Sequence, residues 1–166
     1  TRAGDSAAGI FVWGQADNRA SHMFINCRGI ATSDNANTSF GLIVIDASRD
    51  IFIDCTFVGA ATVSGLQGHG AKIEIGDDII SDTTPLRFTN CNFFGGGSTW
   101  NKQGSLNLQT AGNNGVHISK RSDYGTMGAV SFTDCNFFSN TESAPIYIDS
   151  TAAIATTEFI GGSATT

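Results

Sequence analysis

At 166 residues the chain is long enough to bury one core and too short for two comfortable ones, so residues 1–166 are read as a single domain. A formal charge of −6, with only 14% charged residues, excludes a nucleic-acid-binding surface. No apolar run approaches the roughly 20 residues needed to span a bilayer, so no membrane insertion is expected.

In chain order, the first element is GIFVWG from Gly9, an apolar stretch that reads as a strand, followed by FINCRGI around Cys27. The same two-part pattern returns as GLIVID from Gly41 with FIDCTFV around Cys55, then as AKIEIG from Ala71 with FTNCNFF around Cys91. A fourth copy pairs GVHISK from Gly115 with FTDCNFF around Cys135, and a fifth pairs APIYID from Ala144 with the degenerate IATTEFI. In that last copy Thr157 takes the cysteine position and Phe159 the aromatic position after it. The intervals between cysteine positions are 28, 36, 44 and 22 residues, which excludes helical repeats of fixed length. Each unit reads as strand, turn, strand, tight bend, strand and variable loop: one coil of a parallel β-helix, repeated five times. The variable loops are 59–70, 95–114 and 120–129. The pattern is already under way at both ends, with no amphipathic helix or charged cap, so an open-ended segment of a longer chain is expected. TRAGDSAAG at the start has no basic-then-apolar layout and carries no export signal.

Stacking such coils about 4.8 Å apart sets like residues on like. Phe24, Phe52, Phe88, Phe132 and Ile154, three residues before each cysteine position, form an inward column. Gly29, Phe57, Phe93, Phe137 and Phe159, two residues after it, form another. Asn26, Asp54, Asn90, Asp134 and Thr156 lie between them and break the alternation. Asn and Asp tolerate left-handed backbone, so these positions mark the bend.

With these columns the whole chain resembles a right-handed, single-stranded parallel β-helix of the pectate-lyase type, the architecture of pectin-degrading enzymes and many bacteriophage tailspikes. In that family an asparagine ladder occupies the bend, where Asn26, Asp54, Asn90 and Asp134 stand. The bias to Ala, Thr, Ser, Asn and Gly with few lysines resembles tailspikes most. The resemblance implies a homotrimeric receptor-binding protein of the virion tail that recognises a bacterial surface polysaccharide and is able to depolymerise it. A stand-alone polysaccharide lyase or glycoside hydrolase, and a structural shaft of a tail fibre, are the alternatives.

The four cysteines contain no CxxC pair, which excludes the common zinc signature. Stacked neighbours come within disulfide range, but parallel side chains suit that bond poorly, so buried free thiols are expected.

Function requires outward residues. Ile10 and Val12, Ile43 and Ile45, Ile73 and Ile75, Val116 and Ile118, and Ile146 and Ile148 are read as inward pairs. The outward column between them is then Phe11, Val44, Glu74, His117 and Tyr147, and the next is Trp13, Asp46, Gly76, Ser119 and Asp149. Sugars present hydroxyls and apolar ring faces, so a groove for them wants flat aromatics and carboxylates. Phe11, Trp13, Trp100, Tyr147 and Asp149 are the carbohydrate-binding candidates. Glu74, Asp46 and His117 are the catalytic ones, because glycoside hydrolysis requires paired carboxylates. GHG at Gly68 to Gly70 and the pair Asp77 and Asp78 are similar to polygalacturonase elements in reversed order, and are read as loop residues. Calcium at Asp77, Asp78 and Asp82 is the one cofactor considered, and no other metal is expected. In the long loops, Trp100 is read as a sugar platform or as packing over the helix edge. Lys120, Arg121 and Asp123 are read as solvated charge or as contacts to an anionic polysaccharide.

Overall fold

The computed structural model describes residues 7–13, 21–33, 38–45, 49–61, 68–75, 85–95, 98–100, 106–108, 114–120, 129–139, 144–149 and 157–165. Among these residues there is no helix, and the strands fall into three parallel sheets, each five strands deep. The first sheet takes β1 (Ala7–Trp13), β4 (Ser39–Ile45), β7 (Gly68–Ile75), β12 (Val116–Lys120) and β15 (Ile146–Ile148) in that order. The second takes β2 (Met23–Ile25), β5 (Ile51–Ile53), β8 (Leu86–Thr89), β13 (Val130–Thr133) and β16 (Thr157–Ile160). The third takes β3 (Arg28–Ser33), β6 (Thr56–Ala61), β9 (Asn92–Phe94), β14 (Asn136–Phe138) and β17 (Ser163–Thr165). Successive strands of the chain visit the three sheets in turn, which gives a parallel β-helix-like architecture. The exception is an antiparallel hairpin of β10 (Ser98–Trp100) and β11 (Leu106–Leu108) that lies against β6.

The core is built from columns. Phe24, Phe52, Phe88, Phe132 and Phe159 stack face on face down the second sheet, with ring centroids 4.5, 4.8, 5.0 and 5.0 Å apart. Those separations match the spacing of parallel strands, so backbone pairing and ring stacking are satisfied by one geometry. Phe57, Phe93 and Phe137 form a second stack on the third sheet and meet the first edge to face, at 5.8 Å for Phe52 with Phe57 and 5.4 Å for Phe88 with Phe93. The first sheet closes the core with Ile10, Leu42, Ala71, Val116 and Ile146, and with Val12, Val44, Ile73, Ile118 and Ile148.

The bend between second and third sheets follows from hydrogen-bond direction. Before it, each N–H reaches to the following repeat: Asn26 N donates to Ile53 O at 2.9 Å, Asp54 N to Thr89 O at 3.1 Å, and Asn90 N to Thr133 O at 2.9 Å. Two residues later the direction reverses, and Thr56 N, Asn92 N and Asn136 N donate back to Cys27 O, Cys55 O and Cys91 O, each at 2.9 Å. Reversing the ladder within two residues requires left-handed backbone, and Asn26, Asp54, Asn90 and Asp134 have φ of 51°, 54°, 50° and 51°. The side chains join the ladder as well, with Asn90 Nδ2 donating to Asp54 Oδ1 at 2.7 Å.

The fifth repeat is placed differently from the expectation. Phe159 pairs with Phe132 and belongs to the second sheet, and Gly161, at φ 67°, occupies the bend. Gly162 takes the cysteine position and Ala164 the aromatic position after it. The matching segment is therefore FIGGSAT rather than IATTEFI: Thr157 stands opposite Val130 rather than in the cysteine column, and Ile154 and Thr156 lie outside the described residues. A Cβ at Gly162 would fall 1.9 Å from Cys135 O, so no larger residue fits there. The sequence signal was lost because glycine replaced both marker residues at once.

All four cysteines are free, as expected. Each thiol donates to the carbonyl two residues before it, at 3.2 Å for Cys55 and 3.4 Å for Cys27, Cys91 and Cys135. Cys55 and Cys91 also reach Phe24 O and Phe52 O in the preceding repeat. The column therefore fills a narrow space and adds a weak second donor to the Ile53, Thr89 and Thr133 carbonyls, which already accept a backbone N–H from the preceding repeat. The hydrogen bond with Cys135, together with burial, raises the Cys91 thiol above its ordinary range.

Phe88→Ala removes a ring stacked on both sides and is expected to cost about 3–5 kcal/mol in equilibrium urea unfolding. At the bend, Asn90→Ala is expected to cost about 1–2 kcal/mol, and Asn90→Gly less, because glycine adopts this φ without strain.

Candidate functional site

The outer face of the first sheet combines aromatic, basic and acidic side chains. Its register gives one outward column of Phe11, Ile43, Lys72, His117 and Tyr147, and a second of Trp13, Ile45, Glu74, Ser119 and Asp149. These columns differ from the sequence reading in the second and third repeats. Val44 is fully buried in the core and Ile43 lies on the outer face, one residue out of the expected phase. GLIVID is apolar at four consecutive positions, so alternation alone does not choose its face. Glu74 stands opposite Ser119, with Lys72 opposite His117, because Ala71 and Ile73 are the pair in register with Val116 and Ile118. Ala71 is too small to read as a core residue, yet it is completely buried between Leu42 and Val116.

A close crossing of backbones fixes this register. A Cβ on Gly41 would lie 2.3 Å from Val58 N, and one on Gly59 would lie 2.0 Å from His69 O, so at these two positions the first and third sheets approach as only glycine allows. Gly68 to Gly70 are accordingly strand residues of β7, and residues 59–61 belong to β6, not to a loop. Phe40 and His69 precede this crossing in register with each other, and their rings stack at 5.3 Å, outside the apolar core. The ring series continues outward from His69 to His117 at 5.7 Å and from His117 to Tyr147 at 5.0 Å. Aligning the repeats on Gly41 and Gly70 instead of on cysteine would have put Phe40 and His69 in one column.

Around that series, Lys72 forms an ion pair with Glu74, and its Nζ lies 5.9 Å from the centroid of the Phe40 ring. His117 Nε2 is 3.4 Å from Asp149 Oδ2, but the geometry is not that of a hydrogen bond. Ser119 Oγ is also buried and has no hydrogen-bond partner among the described residues. On this face Phe11 at 54%, Trp13 at 60% and Tyr147 at 47% exposure remain open to solvent, against 8% for Ile43 between them. Thus the first and last strands carry aromatic surfaces and the middle strands carry the polar groups.

Of the catalytic candidates, Glu74 and His117 lie on neighbouring strands, two residues out of register with each other. Asp46 lies outside the described residues, as do Asp77, Asp78, Asp82, Arg121 and Asp123. Trp100 pairs with Leu106 in the hairpin, and its side chain, like that of Lys120, lies outside the described part of the structure. Among the described residues no group of three or more His, Cys, Asp or Glu side chains is arranged to hold a metal ion. No protein family, curated protein or solved structure matches the chain.

His69 gives this face a pH signature. Asn114 N donates to its Nδ1 at 3.3 Å, which leaves the proton on Nε2. Burial first, then the positive charges available to His117 and Lys72, lower it from the usual 6.5 to about 4. Between those two values the unfolded chain binds more protons than the folded one, so stability falls as pH drops from about 6.5 to about 4. The loss amounts to as much as roughly 3 kcal/mol. His69→Phe preserves the stack on Phe40 and is expected to flatten the urea midpoint across this window.

Proposed function

We propose that this protein is a segment of a right-handed parallel β-helix of five coils, belonging to a homotrimeric phage tailspike or similar adhesin. The outer face of its first sheet recognises a bacterial surface polysaccharide. The observation that carries this reading is the exposure of Phe11, Trp13 and Tyr147 on the same face as Lys72, Glu74, His117 and Asp149. Large aromatic rings left in water offer flat apolar surfaces to sugar rings, and the acidic and imidazole groups between them offer partners to hydroxyls. Right-handedness rests on the strong preference of parallel crossovers for that hand.

Recognition is favoured over cleavage because the Glu74 carboxylate is already engaged by Lys72. Phe11 and Tyr147 share a column and stand four strand spacings apart, roughly 19 Å. A glycan lying along the stack would touch both.

Binding to polysaccharide fractions from candidate hosts tests this directly. Trp13→Ala and Tyr147→Ala are each expected to weaken binding about tenfold, and affinity should rise with oligosaccharide length until both ends are reached. Wild-type binding with neither variant affected would remove this face from the function. The depolymerase extension is read separately, by the appearance of new reducing ends when the full-length parent protein meets the glycan. If ends appear and persist in Glu74→Gln, the cleavage chemistry lies elsewhere.

A further inference from the structure

The charge and hydrogen-bond inventory of this face identifies a ligand class. This step rests on the polysaccharide reading above. Among the described side chains of the two outward columns, the charged groups are Lys72, Glu74 and Asp149, with His117 titratable. Lys72 is the one ammonium in that set, and Glu74 neutralises it. Asp149 adds a carboxylate beside His117, and the chain as a whole carries −6. A uronate or sulfate is an acceptor-only group, and it would arrive at a face whose cation is already taken and whose remaining fixed charge is negative.

A sugar hydroxyl meets the opposite situation. The carboxylates of Glu74 and Asp149 accept hydrogen bonds from hydroxyls. They flank Ser119, with Glu74 opposite it on β7 and Asp149 following β15, where its N–H donates to Ile118 O at 3.1 Å. Ser119 is 5% exposed and its Oγ has no hydrogen-bond partner among the described residues, and His117 Nε2, two residues before it on the same face, is likewise buried without one. Two buried polar atoms without partners, side by side on one face and flanked by acceptors, are matched by a ligand that both donates and accepts at close spacing. Vicinal hydroxyls do so without bringing charge.

We propose that the Ser119 face binds an uncharged polysaccharide, with ring hydroxyls partnering Ser119 Oγ and His117 Nε2 and donating to Asp149 and Glu74.

The test is affinity electrophoresis of the full chain through gels containing bacterial polysaccharides. Each acidic polysaccharide is run both native and after chemical reduction of its carboxyl groups to alcohols. The expected result is retardation by uncharged polysaccharides that is unchanged by added salt, and retardation by an acidic one only in its reduced form. Retardation by native acidic polymers that is lost on reduction or in salt overturns the ligand class while leaving the polysaccharide reading intact. No retardation by any polymer overturns both. Ser119→Ala supplies a second readout: binding is expected to fall about fivefold while the urea midpoint holds or rises, since the removed hydroxyl had no partner to lose. A lowered midpoint with unchanged binding would show that the hydroxyl serves the fold, and would overturn the proposal.

Discussion

Parallel strands stand about 4.8 Å apart, and most of this molecule follows from that one spacing. It is also a favourable separation for offset aromatic rings. A column of phenylalanines therefore stacks without either the backbone or the rings giving way, and the centroid distances from Phe24 through to Phe159 stay between 4.5 and 5.0 Å. A second column set at right angles to the first, from Phe57 to Phe137, fills the space between sheets edge to face.

The same stacking makes the bend expensive. A ladder that donates forward on one side of the corner and backward on the other must turn within two residues. The left-handed conformation that achieves this suits Asn, Asp and Gly, and the four Asn and Asp residues and Gly161 meet the demand. The thiols of Cys27, Cys55, Cys91 and Cys135 then attend to carbonyls beside the corner, which explains why a small, weakly donating side chain recurs there without any disulfide.

Columns were legible in the sequence where one residue type repeats, and obscure where types change. The phenylalanine, cysteine and bend columns stand out in the sequence through four repeats because stacking demands sameness. FIGGSAT escaped because Gly161 and Gly162 satisfy the same backbone geometry with no side chain to mark it. On the first sheet the phase depended on a contact between backbones at Gly41 and Gly59, which leaves no hydrophobic signature. GLIVID was therefore assigned the wrong face, and Glu74 was set in register with His117 instead of Ser119. Phe11, Trp13 and Tyr147 were placed correctly because their strands alternate cleanly. His69 and Phe40 were missed because burial against another ring, outside the main core, has no period of its own.

The outer face of the first sheet is built against the rule that governs the interior. Its columns change residue from level to level. It holds a histidine neutral by burial, and it leaves Ser119 Oγ and His117 Nε2 without hydrogen bonds, each at a cost of about 1–3 kcal/mol. A small globular core would be strained by such costs concentrated in one place. In a stacked architecture stability accumulates between neighbouring repeats, so β12 carries the unsatisfied groups while the phenylalanine columns beneath it run unbroken. The repeated interior thus frees the surface from repeating, and the unmet hydrogen-bonding capacity of β12 lies on the same face as the solvent-exposed rings of Phe11, Trp13 and Tyr147.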